Sequence, residues 1–207
     1  MKIITKPLGP VQANCYLLIE NGHALVIDPG DTYQGLDLIL KENESVLDAV
    51  VLTHAHFDHI GGVQWLCDTY KVDVYVNENE VDFLKNPDSN SSSSFMMDVY
   101  CDVTPKVLKE GNNRIGYFDV EAIYCPGHSI GSTVLKIKDN LFTGDVLFQG
   151  SIGRTDLYSG SQTMMMNSLK KLTQLDFDYP IYPGHGPSTS LKIEKKFNDY
   201  LIYAEKI

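Results

Sequence analysis

The apolar positions fall into short β-type runs punctuated by turn residues and interleaved with helix-period segments. Residues 11–19 (VQANCYLLI) and 24–28 (ALVID) are apolar, and Asn21-Gly22 between them signals a hairpin. Asp28-Pro29-Gly30-Asp31 ends the second run in a turn. Residues 34–43 place Leu36, Ile39 and Leu40 on one helical face. The run 48–53 predicts a short buried strand, followed by a His-rich loop and a helix from about Gly61 to Tyr70. Residues 72–76 (VDVYV) alternate as a strand does, and a helix is expected over 78–85. The rest of 77–113 is irregular, and Asn90-Ser91-Ser92-Ser93-Ser94 reads as a mobile surface loop with nothing to bury. In the second half, strands are expected at 119–124, 132–138, 140–144 and 180–182, and helices at 163–174 and 188–204. Strands mixed with helices in both halves suggest two sheet-and-helix halves, four layers in all, though the pattern alone establishes no more than a single α/β domain.

Composition narrows the function. The chain has 207 residues, 43% hydrophobic and 21% charged, as expected of one globular α/β domain spanning 1–207. Acidic residues outnumber basic ones 27 to 17, a formal charge of −10. That balance argues against nucleic acid and against an anionic membrane surface as partners. No apolar run is long enough for a membrane span, and Met1–Lys6 has no apolar leader core, so a cytoplasmic location is expected. The four cysteines, Cys15, Cys67, Cys101 and Cys125, form no CxxC pair and read as buried or half-buried thiols.

The chemistry is concentrated in loops after predicted strands. Thr53-His54-Ala55-His56-Phe57-Asp58-His59 packs four metal-competent side chains into six positions. In extended backbone His54 and His56 point the same way, and the following turn swings Asp58 and His59 to an adjacent position. One segment can then serve two metals. A lone histidine more often completes a core hydrogen bond, but three with an aspartate at this spacing would repel and desolvate at a cost that a metal offsets. Three more loops share one grammar of β-run, glycine and ligand: Cys125-Pro126-Gly127-His128-Ser129, Thr143-Gly144-Asp145 and Tyr182-Pro183-Gly184-His185-Gly186. Imidazole and carboxylate suit zinc, iron or manganese.

HAHFDH, PGHS, TGD and PGHG in this order resemble the metallo-β-lactamase-fold hydrolases. The resemblance extends over Asn14-Cys15-Tyr16 and Val26-Ile27-Asp28-Pro29-Gly30, nearly the whole chain. It implies a four-layer αββα sandwich with two divalent metal ions at one edge, zinc first, with iron or manganese as alternatives. It assigns His54, His56 and His128 to one metal, Asp58, His59 and His185 to the second, and Asp145 as the bridge. Many β-lactamases of the superfamily carry cysteine where Asp145 stands, which points away from that activity. Gly153-Arg154-Thr155-Asp156 resembles a run in short glyoxalase II-like thioesterases, and also in iron-dependent persulfide dioxygenases. Only 22 residues follow His185 (207 − 185), short of the C-terminal helical domain with which classical glyoxalase II binds glutathione.

The resemblance thus implies hydrolysis of a small-molecule thioester such as S-D-lactoylglutathione by a metal-activated hydroxide. Asp58 would position that nucleophile or take its proton. A persulfide dioxygenase and a lactonase or other esterase are the alternatives. Arg154 pairs either with a substrate carboxylate or with Asp156. Asp28 both closes the Asp-Pro-Gly turn and orients the His loop. Cys125 has no basic partner in sequence and reads as packing, as do Met164-Met165-Met166; Lys192, Lys195 and Lys196 read as a solvated helix face. Oligomeric state leaves no mark in the sequence.

Overall fold

In the computed structural model, which describes residues 1–207, the first half forms strands β1 (Lys2–Leu8), β2 (Ala13–Glu20), β3 (His23–Ile27), β4 (Val46–Val51), β5 (Asp73–Asn77) and β6 (Lys106–Leu108). Helices α1 (Leu36–Glu42), α2 (Phe57–Ile60) and α3 (Val63–Tyr70) join them. The second half forms β7 (Gly111–Ile115), β8 (Phe118–Tyr124), β9 (Thr133–Ile137), β10 (Asn140–Gly144), β11 (Leu147–Phe148), β12 (Ser151–Ile152), β13 (Pro180–Pro183) and β14 (Thr189–Ser190). Its helices are α4 (Gln162–Thr173), α5 (Leu191–Phe197) and α6 (Asp199–Ala204).

The two six-stranded sheets run β1-β2-β3-β4-β5-β6 and β14-β13-β10-β9-β8-β7. β3 through β6 are mutually parallel, and so are β10 and β13. Parallel strands covered on both faces read as continuous apolar runs, because successive side chains enter different cores. In β2, Cys15, Leu17 and Ile19 pack beneath α1 and α3, while Tyr16 and Leu18 pack between the sheets. β3 divides likewise, Ala24 and Val26 against Leu25 and Ile27. In β10, Phe142 enters the space between the sheets and Leu141 the core under α4 and α6. Three core clusters therefore fill three spaces, and the fold is the expected αββα sandwich.

Several elements depart from the sequence expectation. β1, an alternating run, forms a full strand on β2, whose own start lies at Ala13 rather than 11. β6 and β7 fall in the stretch expected to be irregular. The helix expected over 78–85 is two 3₁₀ turns, Glu78–Glu80 and Asp82–Lys85, and the first is capped by the Asn77 side chain, which accepts from the Asn79 N–H. The helix expected from Gly61 starts at Val63, after the separate turn of α2. That expected over 188–204 is broken at Asn198, which adopts extended backbone, accepts the Tyr200 N–H and so caps α6. The serine tract is not a mobile loop: Asn90, Ser91 and Ser92 are buried. The Asn90 side chain donates to Phe83 O at 3.0 Å and Val99 O at 2.7 Å, so the first part of the tract turns inward while Ser93 and Ser94 stay exposed. The cysteines are free, with Cys15, Cys101 and Cys125 buried and Cys67 half-buried. No helix is long and apolar enough to cross a membrane.

The two sheets are joined at one edge through Asn14. Its backbone N–H donates to Gly184 O at 2.7 Å, and its side chain donates to Pro183 O at 3.0 Å and Gly186 O at 2.9 Å. The Tyr16 hydroxyl donates to the same Pro183 carbonyl at 2.5 Å. Asn14→Ala should cost about 1 kcal/mol, since it removes two side-chain hydrogen bonds between the sheets while Pro183 O keeps the Tyr16 hydroxyl. Chemical denaturation with an unchanged slope and a lower midpoint is the expected result.

Candidate metal centre

β3, β4, β8, β10 and β13 all end at one edge of the sandwich, and each is followed by a loop carrying acidic or imidazole side chains. This is the edge at which α/β sheets present their ligand sites. β3 delivers Asp28, β4 delivers His54 to His59, β8 delivers His128, β10 delivers Asp145 and β13 delivers His185. The glycine before His185 permits a close approach: a Cβ on Gly184 would overlap Asp145 Oδ1 and lie 2.9 Å from His59 Cε1.

All seven residues expected as metal ligands converge here. His54, His56 and His128 bring ligand atoms within 4.8 Å of one another, and so do Asp58, His59 and His185. Asp145 lies between the two groups. Its Oδ1 is 3.4 Å from His59 Nε2, and its Oδ2 is 3.5 Å from both His128 Nε2 and His185 Nε2. Asp58 Oδ2 is 3.1 Å from His185 Nε2 and 3.6 Å from His59 Nε2. Within this cluster His54 Nε2, His56 Nε2, His59 Nε2 and Asp145 Oδ1 are buried without a hydrogen-bond partner. Buried polar atoms left unpaired at one point are what a divalent cation would satisfy, so the donor set fits metal binding.

Other atoms of the same rings are pinned. His59 Nδ1 lies 3.0 Å from Asp28 Oδ2, and His128 Nδ1 lies 2.8 Å from the Arg154 carbonyl, which accepts its proton. Such acceptors fix the tautomer and aim the opposite nitrogen. Asp28, at φ 50°, also accepts the Thr53 N–H at 2.8 Å and the Thr53 hydroxyl at 2.5 Å. Both roles expected of Asp28, turn and orientation, are therefore present.

The charges divide the cluster. Burial, then the neighbouring imidazoles, pushes His54 well below the ordinary histidine range; burial and His128 lower His56 to about 3. Burial also opposes charge on His59, but Asp58, Asp28 and Asp145 together hold its imidazole well above that range. His185 is raised in the same way, with Asp58 and Asp145 outweighing burial. Asp58 and Asp145 stay below the usual carboxylate range despite burial, each chiefly through His59.

Glu80 was not among the residues expected at the site. Its carboxylate is fully buried and ties two ligand loops together. Oε2 accepts the Ala55 N–H at 2.5 Å, between His54 and His56, while Oε1 accepts the Ser129 hydroxyl and, at 2.9 Å, the Gly131 N–H beyond His128. No short motif marks such a residue, because its three partners are supplied by tertiary structure. Arg154 makes a bidentate pair with Asp156 at 2.6 and 2.8 Å. Arg154 also lines the cavity beside His128 and Asp145. Cys125 is buried and its thiol is pushed up to about 12, the state of a packing residue rather than a nucleophile. Met165 and Met166 are core, with Met164 half exposed beside them.

Comparison with known proteins agrees with this geometry. The family model described as Metallo-beta-lactamase superfamily matches residues 8–185. The probable metallo-hydrolase YqgX of Bacillus subtilis is 37% identical over 97% of this chain and 98% of its own. The hydroxyacylglutathione hydrolase GloC of Haemophilus influenzae is 31% identical over 97% of this chain and 98% of its own. The solved structure of the BLEG-1 B3 metallo-beta-lactamase has a TM-score of 0.90 at 37% identity, covering 97% of this chain and 99% of that one. TTHA1623, solved in a di-iron-bound form, has a TM-score of 0.84 at 32% identity, covering 97% and 100%.

Two outcomes follow from the clamp and the charge division. Glu80→Gln should weaken metal retention at His54, His56 and His128 by about 10- to 100-fold, measured by chelator competition. Acidification from about pH 7 to about pH 5 should empty the Asp58–His59–His185 group first. Its imidazoles hold protons more tightly than free histidine, so protons displace metal there at higher pH. His54 and His56, with lowered values, stay neutral. Metal content after dialysis across this range should fall by about half, with the ion at His54, His56 and His128 retained.

Proposed function

The chain belongs to the metallo-beta-lactamase superfamily, and within it we propose that it is a metallo-hydrolase acting on small-molecule thioesters, with His54, His56 and His128 holding one divalent ion, Asp58, His59 and His185 a second, and Asp145 shared. The observation that carries this reading is the position of Asp145 between two complete ligand groups. A carboxylate there can serve both ions at once. The hydroxyacylglutathione hydrolase relative, matched over nearly its whole length, supports the thioester class.

Bound divalent ions would lower the pKa of a bound water toward neutrality and so supply hydroxide near pH 7. The chain's own residues prepare the rest. Asp58 and Asp145 remain ionised because His59 faces both. Asp58 reaches the floor of a cavity of about 390 Å³ that also exposes His56, His128, Asp145 and His185. From there its carboxylate orients the attacking water or accepts its proton. A departing thiolate is a good leaving group, so no strong acid is required opposite Asp58. Zinc, iron and manganese all suit the donor set, and the di-iron relative supports iron as fully as the donor chemistry supports zinc.

The similarity to BLEG-1 favours a second reading, hydrolysis of a β-lactam amide in the same cavity. One panel separates them: S-D-lactoylglutathione, other thioesters, a lactone and a chromogenic β-lactam, with metal measured on the same sample. Thioester turnover is expected, with turnover and bound metal lost together in His56→Ala and in Asp145→Ala. β-Lactam cleavage without thioester cleavage selects the second reading. Full activity in both variants overturns the site assignment.

A further inference from the structure

The serine tract is part of the cavity wall, and the function proposed above gives it no role. Its anchor is the metal-ligand segment itself: the Phe57 N–H, between His56 and Asp58, donates to Asn90 O at 3.0 Å. The Ser92 N–H donates to Asn90 Oδ1 at 3.0 Å, and the Val99 N–H donates to Ser92 Oγ at 3.2 Å. These bonds close the segment into a tight turn. Its product is the placement of Phe95, whose ring lies 5.1 Å from that of Phe57 over the cavity.

Phe57 is buried, whereas Phe95 and Val11 remain 43% and 42% exposed and line the same cavity. Phe148 and Leu157 line it as well. Holding half-exposed apolar side chains on a rigid wall beside a metal centre is costly in water unless a ligand covers them. The cation at the rim, Arg154, already has its carboxylate in Asp156. An apolar wall matches an apolar acyl group better than it matches a hydrophilic thiol carrier.

We infer that the acyl group of the substrate is non-polar and larger than lactoyl, an aliphatic or aryl chain, and that it packs on Val11, Phe57 and Phe95, with Phe95 setting the preference. The position of the reacting bond rests on the hydrolase reading; the wall does not.

The test has two arms. In the first, glutathione thioesters of lactoyl, butanoyl, hexanoyl and phenylacetyl groups are compared on metal-loaded protein. kcat/KM should rise at least about tenfold from lactoyl to hexanoyl, and Phe95→Ala should compress that ratio mainly through KM. A lactoyl substrate equal to or better than hexanoyl overturns the inference, as does an unchanged ratio in Phe95→Ala. The second arm measures binding of hexanoate and acetate, carboxylates that differ only in chain length, to the same protein by calorimetry. Tighter hexanoate binding that weakens in Phe95→Ala supports the wall even where no thioester is hydrolysed; acetate binding as tight as hexanoate overturns it. Absence of thioester turnover alone therefore refutes the thioester reading and leaves the wall decided by the second arm.

Discussion

Keeping five imidazoles and three carboxylates together out of bulk water is the constraint on which this structure depends. His54, His56, His59 and His128 are buried, as are Asp28, Asp58 and Asp145, and His185 closes the group at its edge. Left to themselves, such groups lose hydration and repel one another, and nitrogens and oxygens are in fact left unpaired where they converge. The surrounding fold is organised to tolerate this. Glu80 binds the loop after β4 to the loop after β8. Asp28 binds Thr53 and His59. Asn14 joins the first sheet to the loop after β13. Each is a buried polar side chain with its partners satisfied, so each rigidifies rather than weakens the core.

The distribution of charge follows from the same packing. His59 sits between three carboxylates and is the one fully buried imidazole whose surroundings favour a proton. His54 and His56 face other imidazoles and are held neutral. A divalent cation at each group would supply the positive charge that protons otherwise bring to one side only. An acidic chain, −10 overall, thereby carries a pocket with room for concentrated positive charge.

Much of this was legible in the sequence because the chemistry is local. HAHFDH places its ligands by strand and turn periodicity, and the loops with His128, Asp145 and His185 repeat one pattern after a β-run. The α/β mix was legible in the interleaved strand and helix patterns, and the αββα sandwich followed from the resemblance, not from the pattern. What escaped depends on distant partners. Glu80 reads as an ordinary surface glutamate until Ala55, Ser129 and Gly131 close on it. The serine tract reads as solvated until Phe83, Phe57 and Val99 offer it backbone partners. The 188–204 helix reads as continuous because the Asn198 side chain is turned to cap Tyr200 by bonds that its amide donates to distant Ser151 and to Glu194. β6 and β7 are short, and their pairing with β5 and β8 outweighs their weak pattern.

The most direct measurement is a crystal structure of metal-loaded protein recorded with anomalous diffraction at the absorption edge of the metal found in it. Two anomalous peaks are predicted, one among His54, His56 and His128, the other among Asp58, His59 and His185, with the Asp145 carboxylate reaching both. A fully loaded crystal with no peak in this cluster, or with its metal bound elsewhere on the chain, would contradict the account.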